Sequence, residues 1–446
     1  MNGAVSLQSV LVLLASSVLA VALCRRLRLP AMIGYLVTGL ALGPHALGFA
    51  SNQEETQRLA EFGVVFLMFS IGLEFSLSKL VSMRRIVFGL GFSQVGATTL
   101  IAIGVALALG ASWQAGFALG AVAAMSSTAI VSKLVAERGE LDTPHGRHVI
   151  GVLLFQDLAV VPLLVVLPAL GRPAGELGLA LAAAFGKAAL ALAFVVIAGP
   201  RLMRAWLGVV ARLRSTELFV LNVLLVTLLL AFFTGIAGLS LVLGAFLAGM
   251  LISETEYRYQ VEEDIKPFRD VLLGLFFVTV GMMLDPVLVV GQWALVLGLF
   301  VLLVGAKFAL IALLARGFGA APGVALRVAL ALAQAGEFGF VLLPLAVSVE
   351  PPPLLQALLA AMILSMLTTP FVIGASDRIV LRLSSSEWML RSLELHRVAA
   401  QSIEADRHVV ILGYGRNGQR LARLLDAEGV PFVGERVDLR AARLPD

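Results

Sequence analysis

Apolar runs long enough to cross a lipid bilayer recur from the N-terminus to about residue 380, and this feature confines the chain to one class of fold. In hydrocarbon every backbone N–H and C=O must find its partner within the protein, so each run crosses as a helix. Only 14% of the 446 residues are charged and 59% are hydrophobic, against about a quarter charged in an ordinary soluble domain. The sequence is that of a polytopic α-helical membrane protein. After about residue 380 the composition turns to Arg and Glu with one short strand-like run, which reads as a water-soluble tail.

Thirteen spans are predicted, near 5–24, 29–43, 59–77, 86–110, 113–135, 148–170, 176–200, 217–235, 237–253, 268–284, 288–315, 324–348 and 353–377. The first lacks a basic region before it and is followed by Arg25, Arg26 and Arg28, so it reads as a spanning helix rather than a cleaved signal. A single cysteine, Cys24, excludes an intramolecular disulfide framework. Lys and Arg gather in the connections after the odd-numbered spans, whereas the alternate connections hold only Arg58 and Arg172. That bias places the N-terminus outside and the tail in the cytoplasm.

Ionisable groups inside a membrane are costly, so each needs a partner or a task. At a rise of about 1.5 Å per residue, Asp157 lies roughly 13 Å from the end of its span, and Lys307, Glu337 and Ser127 reach similar depths on three other spans. Two of these spans look interrupted. In "AMSSTAIVS" the hydroxyls of Ser126, Ser127 and Thr128 compete with backbone groups, and in "AQAGEFGF" Gly336 and Gly339 flank Glu337, with Gln334 three residues earlier. Interrupted helices in corresponding halves, here the fifth and twelfth spans, point to a midplane site between inverted repeats.

In "LLFQDLAVVPLL" Pro162 lacks an N–H and crowds the Leu158 carbonyl, freeing it beside Asp157. A carboxylate, that carbonyl, the Gln156 amide and nearby hydroxyls form an oxygen-rich shell for a monovalent cation. Desolvation penalises a bare carboxylate, so proton and cation compete for it, which is antiport. The plainer alternatives are a structural Asp157–Lys307 ion pair and a Ser-Ser-Thr run that only packs helices. Lys187 has no role beyond snorkelling or an unseen partner, and His45, His145 and His148 lie at span edges without metal-ligand spacing. No nucleophile–base constellation appears, so an enzyme is not expected. A gated channel and a transport-inactive sensor are the competing classes, although no filter-like loop is present.

The stretches "LLFQDLAVVPLL", "AMSSTAIVSKLV", "FLMFSIGLEFSLSKL", "IKPFRDVLLGLFFVTVGMMLD" and "AQAGEFGFVLL" resemble the signatures of the monovalent cation:proton antiporter-2 family, nearest to its Kef-type potassium efflux systems. The resemblance covers nearly all of residues 1–380. It implies a fold of crossed broken helices, a homodimer in the bacterial inner membrane, and alternating access that exchanges potassium or sodium for protons. Asp157 becomes the carrier beside Gln156, with Ser126, Ser127 and Thr128 at one crossover, Gln334, Gly336 and Glu337 at the other, and Lys307 near the carrier. One carboxylate beside an amide resembles the electroneutral pattern. The acidic segment 253–268 reads by itself as a solvated loop, and the resemblance gives Glu262, Glu263 and Asp264 a regulatory contact. The partners implied are ions, protons and membrane lipid, with no nucleic acid, and no cofactor is required for transport.

Residues 381–407 form a linker, and 408–446 open with a strand, then Gly413, Gly415 and Gly418 in a GxGxxG turn, then a helical run. This is the context of a dinucleotide fingerprint, and it resembles the start of a TrkA-N or RCK domain. "VPFV" is cut short by Gly434 and Glu435, and Arg436 stands where an acidic residue is expected. The segment reads as a partial Rossmann-like domain with at most weak affinity for NAD(H) or AMP.

Overall fold

The computed structural model describes residues 7–27, 30–48, 53–74, 77–171, 174–197, 199–212, 215–348, 352–384, 409–412, 416–428, 430 and 432–435. The chain divides into two compact units, Met1–Asp377 and Arg378–Asp446. The first is helical throughout its described residues: α1 (Leu7–Arg26), α2 (Ala31–Leu42), α3 (Gln53–Glu74), α4 (Leu77–Ser82), a π-helical turn (Ile86–Gly91) leading into α5 (Phe92–Ala108), α6 (Trp113–Ala124), α7 (Thr128–Glu137) and α8 (Pro144–Leu170). It continues through α9 (Ala174–Ile197), α10 (Gly199–Ala211), α11 (Thr216–Ile236), α12 (Leu241–Ser253), α13 (Arg258–Met282), α14 (Pro286–Gly291) and α15 (Trp293–Gly317). Then come α16 (Pro322–Leu332), α17 (Glu337–Leu342), a 3₁₀ segment (Leu343–Ser348) and α18 (Pro352–Leu383), which runs past the unit boundary. Among the described residues six helical spans are long and apolar enough to cross a membrane, and the bent pair Pro322–Leu332 and Glu337–Leu345, taken as one span, makes a seventh.

Helix starts follow local chemistry. Side chains of Ser112, Thr143, Ser215 and Ser240 accept backbone N–H groups at the first turns of α6, α8, α11 and α12, and Asp285 does so for α14. At the end of α7, Gly139 takes φ 67°, a left-handed conformation that closes the helix with Glu140 N–H donating to Val135 O at 2.9 Å. Lys187 caps another end: its Nζ donates to Ala237 O, the C-cap of α11, at 2.8 Å. The lysine left without a role by its sequence therefore meets the negative end of a helix.

Two segments read as loops from sequence are helical. Residues 201–211 form α10 because Met203 and Leu207, one turn apart, are buried while Arg201 and Arg204 face outward. The acidic segment enters α13 at Arg258 because Val261 and Ile265, also one turn apart, give it a buried stripe.

Two groups of helices dominate the packing of the first unit. In one, α12 and α13 pack on α3, α13 on α2, α11 on α12 and α1 on α2. In the other, α5 packs on α6, α15 on α16, and α8 on the π turn and on α16. Backbones touch in the first group. A Cβ at Gly72 of α3 would strike the Phe246 carbonyl of α12, and one at Gly249 of α12 would strike the Phe69 carbonyl of α3. Such small-residue contacts drive helix association in lipid, where the solvent is as apolar as leucine. At one end of the second group, Asp377 receives Arg138 at 2.7 Å and Arg327 at 3.2 Å, and Arg138 also meets Glu140 at 2.9 Å.

The second unit contains β1 (Val409–Leu412), α19 (Arg416–Ala427) and β2 (Phe432–Glu435). The strands pair in parallel, with Val409 opposite Phe432 and Leu412 opposite Glu435. β2 thus runs through Gly434 and Glu435, which looked like its end in the sequence, because the ladder is made by backbone groups. Gly413 and Gly415 lie outside the described residues, and Gly418 sits in the first turn of α19.

Gly249→Val should destabilise the first unit by at least about 2 kcal/mol, since its side chain meets backbone that cannot yield. Size-exclusion profiles and thermal unfolding in detergent read this out; parental behaviour would disprove the contact between α3 and α12.

Candidate functional site

The spans expected to be interrupted each divide into two half-helices. Between α6 and α7 the chain is extended at Met125 (ψ 142°) and Ser127 (ψ 108°). Between α16 and α17 it breaks over residues 333–336 with a bend of 41°. The breaks cross at Gly336, where a Cβ would collide with the Ser126 carbonyl. Only glycine allows the two extended segments this approach.

Each broken helix leaves orphan backbone groups at its break. The buried Lys307 of α15 donates from Nζ to Met125 O at 2.6 Å and to Gln334 O at 2.9 Å, so one ammonium serves the C-terminal ends of both α6 and α16. Ser126 Oγ donates to Leu332 O at 2.9 Å, and Ser365 Oγ of α18 accepts Ala335 N–H at 3.0 Å. The N-terminal ends meet an acceptor. Glu337 stands in the first turn of α17, and its Oε1 accepts Ala129 N–H in the first turn of α7 at 3.1 Å. Half-helix C-termini thus face a side-chain donor and a half-helix N-terminus a side-chain acceptor, which is what their orphan groups require.

Asp157 of α8 is 8% exposed and accepts from Thr128 Oγ1 at 3.0 Å. α8 runs unbroken through Pro162. The neighbouring Gln156 is fully buried, and its Oε1 accepts Ser126 N–H at 2.7 Å. The Gln334 side-chain amide and Glu337 Oε2 are buried without a hydrogen-bond partner among the described residues.

The structure therefore brings Gln156, Asp157, Ser126, Ser127, Thr128, Gln334, Glu337 and Lys307 to one crossing. Lys307, Ser126 and the Gln156 carbonyl are hydrogen-bonded to backbone ends, while the Thr128 hydroxyl donates to the carboxylate. Glu262, Glu263 and Asp264 lie on the second turn of α13. Gln94 of α5 and Ser365 of α18 were not singled out in the sequence, though a lone amide in the apolar run from Val87 to Ala106 is the same kind of signal that marked Asp157. Among the described residues no group of three or more His, Cys, Asp or Glu is placed to hold a metal ion.

A helical membrane transporter with two crossed broken helices is the class this geometry defines. Residues 12–381 match the family model described as sodium/hydrogen exchanger, transmembrane. The chain belongs to that family. It is 41% identical over 98% of its length to a protein of Alkalimonas amylolytica that carries the provisional name K(+) efflux antiporter KefB, covering 67% of that protein. It is 40% identical over 96% of its length to the chloroplastic K(+) efflux antiporter 2 of Arabidopsis thaliana, of which it spans 37%. These likenesses agree with the Kef-type resemblance of the motifs. In structure it is similar to the sodium proton antiporter MjNhaP1 of Methanocaldococcus jannaschii, with a TM-score of 0.60 and 16% identity over 84% of this chain and 98% of that one. At that identity the likeness establishes the fold.

Lys307→Met would leave two buried carbonyls without their donor and should cost about 2–5 kcal/mol. Thermal unfolding in detergent measures it, and an unchanged midpoint would show that the ammonium is not what holds the two C-terminal ends.

Proposed function

We propose that the protein exchanges a monovalent cation, potassium in preference to sodium, for protons by alternating access, with Asp157 as the carrier. The observation that carries this reading is the crossing itself: two broken helices, their ends matched by Lys307 and Glu337, built around a carboxylate on a third helix. With Lys307 and Glu337 engaged at helix ends, Asp157 beside the Thr128 hydroxyl is the group suited to hold either a cation or a proton. A desolvated carboxylate needs one or the other, and it cannot hold both. The potassium efflux relatives support the choice of cation, and a single carrier carboxylate supports one cation per proton.

The finer architecture belongs to the same proposal. Thirteen spans arranged as inverted repeats, with the N-terminus outside and the tail in the cytoplasm of a bacterial inner membrane, are supported by the apolar runs and by the distribution of Lys and Arg. The Kef-type likeness supports a homodimer and a regulatory contact through Glu262, Glu263 and Asp264. The parallel β1–α19–β2 unit supports reading the tail as the start of a Rossmann-like domain, in which Gly413, Gly415 and Gly418 approach a nucleotide weakly.

In everted vesicles holding an imposed proton gradient, added potassium or sodium should release protons, and Asp157→Asn should abolish that release. A mutant that exchanges like the parent would remove Asp157 from the carrier role; current under voltage clamp without proton coupling would favour a channel.

A further inference from the structure

Gln94 is fully buried on α5, and no part of the exchange mechanism above uses it. Its Nε2 donates to Ala124 O, the last carbonyl of α6, at 3.1 Å, and to Thr98 Oγ1 at 3.2 Å. Its Oε1 accepts Gln156 Nε2 at 2.7 Å, and the same Nε2 lies 3.3 Å from Ser126 Oγ. Gln156 Oε1 in turn accepts Ser126 N–H at 2.7 Å. The four groups form one directed chain, from Ser126 N–H through Gln156 and Gln94 to Ala124 C=O.

Both ends of this chain are backbone groups with a single possible role. A carbonyl only accepts and an N–H only donates, so the orientation of both side-chain amides is set by the backbone. The two groups so joined flank Met125, at the point where the first broken helix has lost its internal bonds. Hydrogen bonds aligned in one direction polarise one another in a buried setting. The bridge therefore replaces the missing helical bonds with two side chains.

Packing around the bridge fixes the register of α5 against α8. The π turn at Ile86–Gly91 ends at Gly91, whose missing Cβ leaves room for Phe155. Phe88 and Phe92 meet Phe155 edge-on at 6.2 and 5.8 Å. One residue beyond Phe155, Gln156 faces Gln94. Single π turns within α-helices recur at functional sites, and this one lies a single turn before Gln94.

We propose that Gln94 is a positioning residue: with Gln156 it forms a two-amide bridge that holds the first break open and sets the Thr128 hydroxyl against the Asp157 carboxylate. Gln156 then serves the break through both atoms of its amide, the oxygen accepting Ser126 N–H and the nitrogen donating to Gln94. The inference rests on the reading of Asp157 as carrier. It goes beyond that reading in assigning a task to a residue on a helix outside the two broken ones.

The test uses the purified full chain in proteoliposomes, with potassium-driven proton release measured as a function of potassium concentration. Gln94→Met keeps the length of the side chain but removes donor and acceptor, and Gln156→Met does the same at the other half of the bridge. Each should raise the half-saturating potassium about tenfold with the maximal rate nearly retained, and the double variant should be no worse than the more severe single, since the two act as one unit. Additive effects, a fall in maximal rate at unchanged half-saturation, or parental behaviour would overturn the proposal. Thermal unfolding in detergent accompanies each variant. If Gln94→Met does not fold, Gln94→Asn, too short to reach both partners, takes its place, and failure of both to fold would assign Gln94 a structural role only. Asp157→Asn in the same vesicles separates the two readings. Exchange retained there defeats the carrier assignment, whereas exchange lost there with Gln94→Met unaffected defeats the bridge alone.

Discussion

Four half-helix ends meet within this protein, and the pairing of their orphan backbone groups is the constraint on which the rest depends. A helix that stops in water can hand its orphan groups to solvent; one that stops in a membrane cannot. Lys307 resolves the two C-terminal ends and Glu337 bridges the two N-terminal ends. Smaller groups complete the set: Ser126 Oγ on Leu332 O, Ser127 Oγ on Ile130 N–H, and Ser365 Oγ on Ala335 N–H. With the ends settled in this way, a carboxylate on α8 stands at the crossing beside the Thr128 hydroxyl.

This compensation is internal to one group of helices. α6, α7, α8, α15, α16 and α17 exchange these hydrogen bonds among themselves, with α5 and α18 adding one side chain each. The other group, α1–α3 with α11–α13, is held by close glycine contacts and apolar packing. Where the two groups approach, direct polar contacts include Gln356 of α18, which donates to Met283 O at 2.8 Å and accepts from Asp285 N at 3.2 Å. Broken-helix ends paired from within one group leave that group free to shift against the other, as alternating access requires.

Depth along each span was legible from residue count alone, so Asp157, Lys307, Glu337 and Ser127 grouped together before any contact was known. The interruptions were legible too, from three hydroxyls in succession and from glycines beside a glutamate. Partners were not. Lys307, for which an ion pair with Asp157 was the plainer alternative, donates to two carbonyls; the orphan groups of a broken helix carry no mark in the sequence. The Ser126 N–H that Gln156 accepts is likewise unmarked. Gln94 was overlooked because its relevance depends on α5 packing against α8, which the sequence does not state. α10 and the first turns of α13 were read as loops because their charges masked buried pairs one turn apart, Met203 with Leu207 and Val261 with Ile265.

The sequence by itself determined that the chain is a helical membrane protein, where its apolar runs fall, and which few polar residues lie at mid-depth, since hydrocarbon imposes length and apolarity locally, residue by residue. Only the tertiary structure decided what each polar residue does there. Two breaks brought together at Gly336 generate donors and acceptors that belong to no single residue type. Which ammonium, carboxylate or amide satisfies them depends on helices separated by as many as 208 residues along the chain.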